Sequence, residues 1–409
     1  MYRTITYRLY PTAGQRGALV RLLRSQCALY NAALEERRGR WAWNGERVGW
    51  IDQFKELTGA STEIPSLDEF GVTVHRGTLK RLDQAFEGFF RRVSDGQTPG
   101  YPRFRSPARF DSVTYPTTDA WKLSVPEGRK GTYGRLRIRG VGHVQTKLHR
   151  SFDGATPAQM VVRRRGDRWE ATVFFMNVTP RPTPPTTGIA CGVDRGIAVL
   201  AAVADSAGGT ELVPNPRPLH RAAGKLARKQ KRLSRHRRGS NRRVRTRAEV
   251  AALHRKVANA RRDTNHQLSR RLVDRFDLIA IEQLDIRNLV RAPTPVPDPD
   301  QAGGYLPNGA AAKAGLNRSI LDAGWGQLAS MVAYKAEEAG RRLVFVEPRY
   351  TSQTCAQCGY SHRDNRKSTA FCCQGCGHED HADLNAATNI LRLAGQEFRP
   401  GSGHARLTA

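Results

Sequence analysis

The sequence predicts a multidomain α/β protein, with an N-terminal β domain carrying a helical insertion and a second α/β domain holding a small cysteine-rich ribbon. Three observations lead there. A chain of 409 residues exceeds what one ordinary core organises. The hydrophobic period switches from helical spacing to short β-rich runs near residue 95 and changes again after a proline-dense segment, TPRPTPPT at residues 179–186. Near the C-terminus two CxxCG strings stand fourteen residues apart.

The elements follow in order. Residues 4–9 read as a strand, and Pro11-Thr12 then opens a long amphipathic helix with Leu19, Leu22, Leu23, Cys27, Tyr30 and Leu34 at helical spacing. Leu79, Leu82, Phe86, Phe89 and Phe90 repeat that pattern, so residues 12–94 form a mainly helical module in which each of these apolar side chains packs between helices. After the turn-rich GQTPGYPRFRSP at 96–107 come β-forming runs at 121–125, 136–138, 160–162 and 169–175, separated by Gly, Pro and Asp. Since a strand precedes the helices, the simplest arrangement is an antiparallel sheet or small barrel that starts at residue 1 and is completed near 178. The prolines of 179–186 can neither feed a ladder nor continue a helix, which marks a linker.

Beyond the linker, GIACGVDRGIAVLAAVAD predicts two adjacent strands joined by a tight turn at Arg195-Gly196. DLIAIEQLDIRNL predicts a buried strand ending at Glu282, and residues 291–309, rich in Pro, Gly and Asp, an exposed loop. A helix over about 316–340, a strand over 342–346, the cysteine segment, a last helix over 383–393 and a frayed tail complete the chain. There is no internal repeat.

Charge narrows the function classes. A formal net charge of +30 and pI near 10.7 strain a compact fold unless a polyanion neutralises it, and nucleic acid is the commonest such partner. Only 12 of the 67 basic residues are Lys; Arg suits bidentate phosphate contacts, and a GC-rich coding bias gives the same excess. Between Arg221 and Arg262 stand 17 Lys or Arg against one acid, Glu249, over a helical stripe of Val250, Leu253 and Val257. That imbalance repels itself without phosphate nearby, so Arg228, Arg232, Arg235, Arg238, Arg242 and Arg243 are candidate nucleic-acid contacts. No stretch has the apolar length of a membrane span, and the start MYRTITYRLYPT lacks a signal-peptide core. The expectation is a cytoplasmic protein without a membrane partner.

Seven cysteines do not form a secreted disulfide framework. Cys355, Cys358, Cys373 and Cys376, each pair followed by Gly359 or Gly377, have the spacing of a four-thiolate zinc ribbon; four thiolates leave no open position, which makes the site structural. Cys372 is a rival to Cys373, but only Cys373 repeats the first knuckle. A disulfide or redox CxxC is the alternative.

Carboxylates at element ends form the second constellation. Asp194 closes the strand IACGV, Glu282 closes LIAI, and Asp383 opens the last helix in ADLNAATNI. An acid in such a place is most often a turn or cap residue. A first-strand Asp, a later-strand Glu and a C-terminal-helix Asp are also what an RNase H-like fold needs to hold two divalent ions for phosphodiester cleavage. Asp274, Asp277, Asp285, Asp364 and Asp380 read as loop or surface acids, with Asp380 the one rival to Asp383.

The strings GVDRGIAVLA, LIAIEQLDIRNL, VFVEPRYTSQTCAQCGY and ADLNAATNI resemble the three RuvC motifs and zinc segment of the TnpB (OrfB) family of transposon-encoded RNA-guided nucleases. RLYPTAGQ and PGYPRFRS extend the resemblance over residues 1–393. The resemblance implies a β-barrel wedge domain (1–11 and 95–180) interrupted by a helical recognition domain (12–94). It further implies a RuvC nuclease domain (181–350 and 379–395), an inserted zinc ribbon (351–378) and a tail (396–409). It also implies catalytic acids Asp194, Glu282 and Asp383, structural Zn2+, catalytic Mg2+ with Mn2+ as substitute, a guide RNA, and double- and single-stranded target DNA. Many members carry a further Asp where this chain has His381. The loop at 291–309 is then expected to admit single-stranded DNA to the acids. Compact type V CRISPR effectors share the catalytic domain, and the short chain favours TnpB. A nuclease-inactive guided repressor is the reading from another class, and the presence of all three acids speaks against it. A conventional transposase does not account for the ribbon placed before the third acid, nor a ribosomal zinc protein for the strand-end acids.

Overall fold

The computed structural model describes residues 3–63, 68–124, 133–150, 154–178, 184–301 and 303–397. It divides into two compact units, Met1–Pro180 and Arg181–Ala409. Val125, most of the linker (179–183) and the tail from 398 onward lie outside the described residues.

In the first unit, β1 (Arg3–Tyr10) leads into three helices, α1 (Ala13–Asn44), α2 (Trp50–Glu63) and α3 (Val72–Ser94). Six strands follow: β2 (Ser112–Tyr115), β3 (Trp121–Ser124), β4 (Tyr133–Ile138), β5 (Gly142–Lys147), β6 (Thr156–Arg165) and β7 (Arg168–Met176). They form one antiparallel sheet in the order β2-β6-β7-β1-β5-β4-β3. The N-terminal strand is therefore central, paired to β7 from Arg3↔Phe175 to Leu9↔Trp169 and to β5 at its far end. Among the described residues β2 and β3 end the sheet without pairing to each other.

Alternation along β1 buries Ile5, Tyr7 and Leu9, and the predicted stripe of α1 packs into the same core. Thr12 caps α1 in a capping box with Gln15, satisfying two orphan N–H groups. The second helical series needs a correction: Leu79 and Leu82 are buried, but Phe90 is 55% exposed. Phe90 shares the face of Leu79, about 20° away around the helix, and its ring stacks on Phe86; it is exposed because burial along α3 ends at Leu82.

The second unit begins with β8 (Ala190–Asp194), β9 (Val199–Asp205) and β10 (Thr210–Pro214). A basic helical hairpin, α4 (Pro218–Arg235) and α5 (Asn241–Arg275), leads to β11 (Leu278–Glu282). After the short α6 (Ile286–Leu289) come α7 (Ala310–Ala323), α8 (Trp325–Glu338) and β12 (Arg342–Val346). The ribbon strands β13 (Arg366–Lys367), β14 (Ala370–Cys372) and β15 (Glu379–His381) precede α9 (Ala382–Glu397).

The large sheet has the order β10-β9-β8-β11-β12, with β8, β11 and β12 parallel and β9 and β10 antiparallel. Such strands are covered on both faces and so read as continuous apolar runs. Cys191, Val193, Ile279 and Ile281 face the core shared with Leu268 and Leu272 of α5 and Leu328 and Val332 of α8. The alternate residues face α9: Ala280 and Val346 pack with Ile390 and Ala394, and Ala202 and Ala204 with Ala387. In the ribbon sheet β14 pairs antiparallel with β15 from Ala370↔His381 to Cys372↔Glu379.

Candidate functional site

Strand alternation places two of the acids. Gly192 and Asp194 share one face of β8, Ala280 and Glu282 the same face of β11, and the parallel register Val193↔Ile281 makes Asp194 and Glu282 neighbours at the strand ends. The third comes from α9. A Cβ on Gly192 would lie 2.1 Å from the carbonyl oxygen of Ala387 and 2.6 Å from the amide of Leu391, so the helix rests directly on this glycine. Asp383, Ala387 and Leu391 follow at i, i+4 and i+8 and share one helix face. The helix runs against the strand direction and brings Asp383 back toward Asp194.

The three carboxylates therefore meet electrostatically. Burial first, then the charges of Glu282 and Asp383, push the Asp194 carboxyl up to about 7, while Arg366 and Arg195 pull it down. Burial also raises Glu282, against the Thr351 hydroxyl, Arg195 and Arg366. Side chains other than the three acids organise the surroundings, among them Trp325, Thr351 and Arg366, which sequence reasoning did not single out. Buried Arg195 donates to the carbonyls of Glu282 (2.5 Å) and Trp325 (3.1 Å), and Trp325 Nε1 donates to Gly196 O (3.0 Å), which fixes the turn after Asp194. Arg366 of the ribbon donates to Asp383 Oδ1 at 2.8 Å, and Thr351 Oγ1 donates to Glu282 Oε1 at 2.7 Å. Asp383 N donates to His381 Nδ1 at 3.2 Å, so His381 caps α9 in the way an Asp would.

The three acids are an all-oxygen set, the donor type that suits a hard divalent cation, but their oxygens do not all lie within 4.8 Å of one another. The rival acids have other work. Asp285 caps α6, Asp277 accepts from the amides of Thr187 and Gly188, Asp274 pairs with Arg270, and Asp380 accepts from the amide of His381.

The four predicted cysteines form the one group of three or more His, Cys, Asp or Glu ligand atoms within 4.8 Å of one another among the described residues. Each knuckle has the same wiring. Gly359 N donates to Cys355 O and Gly377 N to Cys373 O, and each first cysteine's amide returns to the carbonyl after the glycine. Both glycines have positive φ, 79° and 73°. The sulfurs of Cys355 and Cys376 are 3.8 Å apart and those of Cys358 and Cys373 3.6 Å. Four sulfurs at about 2.3 Å from one tetrahedral ion stand about 3.8 Å from each other, so the cluster fits a metal such as zinc. Burial opposes ionisation of Cys373, yet the amides of Cys376 and Gly375 and neighbouring thiols bring it down to about 7. Cys372 is exposed on β14 and outside the cluster.

On the basic hairpin, Leu226 is the buried residue of α4, and Arg228, Arg232, Arg235, Arg238 and Arg242 are exposed. Arg243 differs: it is half-buried and donates to the carbonyls of Leu233 (2.7 Å) and His236 (3.0 Å), closing the end of α4. Glu249, the lone acid, pairs with Lys229 across the hairpin. Asp322 holds its base, accepting from the amides of Leu219 and His220 and from Arg261.

Family models match in three places. Residues 1–46 match a "Helix-turn-helix domain" of the OrfB (IS605) family, 173–292 its "Probable transposase" model, and 325–390 a "Cas12f1-like, TNB domain". The chain is 30% identical over 388 residues to InsQ of Escherichia coli (strain K12), named as an RNA-guided DNA endonuclease, covering 92% of this chain and 89% of that one. It is 34% identical over 145 residues to the CRISPR-associated endodeoxyribonuclease Cas12f1 of Sulfoacidibacillus thermotolerans, covering 34% of this chain and 29% of that one. In fold it is similar to the mini-RNA-guided endonuclease CRISPR-Cas_phi3, with TM-score 0.54 and 10% identity, covering 96% of this chain and 92% of that one. No helix among the described residues is long and apolar enough to cross a membrane.

Proposed function

The chain belongs to the OrfB (TnpB) family, and from that premise we propose that it is an RNA-guided DNA endonuclease cutting at a single RuvC site. The observation that carries the reading is the convergence of Asp194, Glu282 and Asp383 on one face and one end of a sheet whose central strands run parallel. The strand order supports an RNase H-like RuvC domain over 181–350 and 379–395 with the ribbon between. The sheet with central β1 supports a wedge domain over 1–11 and 95–180, with α1 to α3 as the recognition insertion.

In this reading Asp194, Glu282 and Asp383 would hold divalent cations, and the chemistry such cations would supply is activation of a water and stabilisation of the leaving oxygen of the scissile phosphodiester. The protein's part is placement. Arg195 locks the turn behind Asp194, and Arg366 tempers the mutual repulsion of the acids. The exposed arginines of α4 and α5 offer a track for the phosphates of a guide RNA paired with DNA, so that base pairing selects the sequence. The loop at 291–309, which carries the bridge Pro297↔Tyr305 and lies between α6 and α7, is the proposed entry for single-stranded DNA. Sequence likeness favours the OrfB reading over the effector one, since the sequence match to Cas12f1 covers 34% of this chain and that to InsQ 92%.

The test is to purify the protein from cells carrying its gene and flanking bases, sequence the copurified RNA, and supply matched DNA with Mg2+. Cleavage that requires the RNA and is lost in Asp194→Ala supports the reading. Guided binding without cleavage points to a repressor, and absence of RNA removes RNA guidance altogether.

A further inference from the structure

Thr351 lies four residues before Cys355 and is 3% exposed, at the junction of the ribbon and the acid cluster. Its hydroxyl donates to Glu282 Oε1 at 2.7 Å, the one hydrogen bond to that carboxylate among the described residues. Pro348 O at 3.1 Å competes for the same proton, and the charged acceptor is the stronger. The carbonyl of Thr351 accepts from Asn389 Nδ2 at 2.9 Å, and the same Nδ2 donates to Thr354 O at 2.7 Å. One helical turn earlier, Asn385 donates to Thr354 O and accepts from the amide of Ala356, both at 2.8 Å. Asn385 and Asn389 are buried as completely as Thr351.

The strand of chain entering the first cysteine knuckle is thus fastened on one side to α9, the helix that carries Asp383, and on the other to Glu282. Glu282 is 8% exposed, and burial disfavours an unpartnered carboxylate. A buried hydroxyl donor offsets that and holds the carboxylate plane in one orientation.

We propose that Thr351 is a positioning residue for Glu282, and that closure of the first cysteine knuckle sets the geometry of the acid cluster through Thr351, Asn385 and Asn389. The ribbon thereby acts on the catalytic centre rather than as a separate brace. This rests on the reading of Glu282 as a cation-holding acid. Outer hydrogen bonds of this kind are worth about 10- to 100-fold in metal affinity.

The experiment compares Thr351→Ala with Thr351→Ser in the full-length, nuclease-treated protein, since these variants differ by the hydroxyl alone. Mn2+ binding is followed by electron paramagnetic resonance, with zinc content and thermal melting measured on the same samples. Thr351→Ala is expected to weaken Mn2+ binding about 10-fold or more, with Thr351→Ser close to wild type and zinc retained in both. Equal Mn2+ binding by the two variants overturns the positioning role. Zinc-stripped wild type is expected to lose Mn2+ affinity as well, and unchanged affinity there overturns the coupling. If wild-type Mn2+ binding survives Asp194→Ala and Glu282→Ala, the assignment of the acids itself falls, and the Thr351 role with it.

Discussion

Gly192→Ala puts the placement of Asp383 under direct test. The added Cβ would sit 2.1 Å from Ala387 O, 2.6 Å from Leu391 N and 3.0 Å from Leu391 Cβ. Two of these are backbone atoms of α9, which cannot rotate aside as the end of a flexible side chain would. Reopening the first contact from 2.1 to an ordinary 3.4 Å means a retreat of 1.3 Å by the helix. Overpacking of this kind costs about 1–3 kcal/mol. Asp383 stands one turn before Ala387 and moves with it, and a misplacement near 1 Å at a reacting centre costs roughly 100-fold in rate. Guided cleavage at saturating Mg2+ and thermal melting are the assays, with copurified RNA as the control, because the basic hairpin is untouched. A variant that melts and cuts as wild type does would refute the argument that close packing of α9 on β8 builds the site.

Three further outcomes follow from the same geometry. In magnesium-free buffer the folded state holds a proton on Asp194 up to about pH 7, against an ordinary 3.8, so stability falls as pH rises from about 4 to 7. Three units correspond to about 4 kcal/mol, discounted toward about 2 because Asp194 is only partly buried; urea unfolding of Asp194→Asn should flatten this slope. Cys373→Ser should release the metal and lower the melting temperature of the second unit, read by metal content alongside calorimetry. Charge reversal at Arg232 and Arg235 should weaken RNA binding and reduce the slope of log affinity against log salt by about 0.7–0.9 for each phosphate no longer neutralised, whereas Arg243→Ala should act through hairpin stability.

Legibility in the sequence followed the strength of local constraint. The knuckles were readable because two cysteines, a tight turn and a positive-φ glycine leave almost no freedom at each site. Strands β8 and β11 were readable because burial on both faces demands an unbroken apolar run, as in IACGV and LIAI. Strands β2, β5 and β10 were missed. Each has one exposed face or lies at an edge, as GHVQTK and TELVP show, and such strands carry little apolar signal. Phe90 is exposed for another reason: it continues the face of Leu79, Leu82 and Phe86, but burial along α3 stops at Leu82, and helical spacing carries no signal of where the core ends. Arg195, Thr351, Asn385 and Asn389 sit inside the quoted motifs, with the two Asn at i, i+4 spacing, yet a buried polar residue announces its partner only when the partner is in place. Arg366 had no sequence signal at all.

The position of the ribbon is itself a consequence of topology. Parallel strands all end on the same side, and in open α/β sheets the crevice beyond those ends is where sites form. β8 ends at Asp194, β11 at Glu282 and β12 at Val346, which pairs with Glu282 across the ladder. Whatever follows β12 must therefore start beside the acids, and the chain must return to the same end if α9 is to present Asp383. An insertion between β12 and α9 has both its entry and its exit at the catalytic edge. Thr351 at the entry and Arg366 within the insertion are the side chains that use this proximity, one reaching Glu282 and the other Asp383. A ribbon inserted between β9 and β10, at the opposite end of β8, could bind the same metal and touch neither acid.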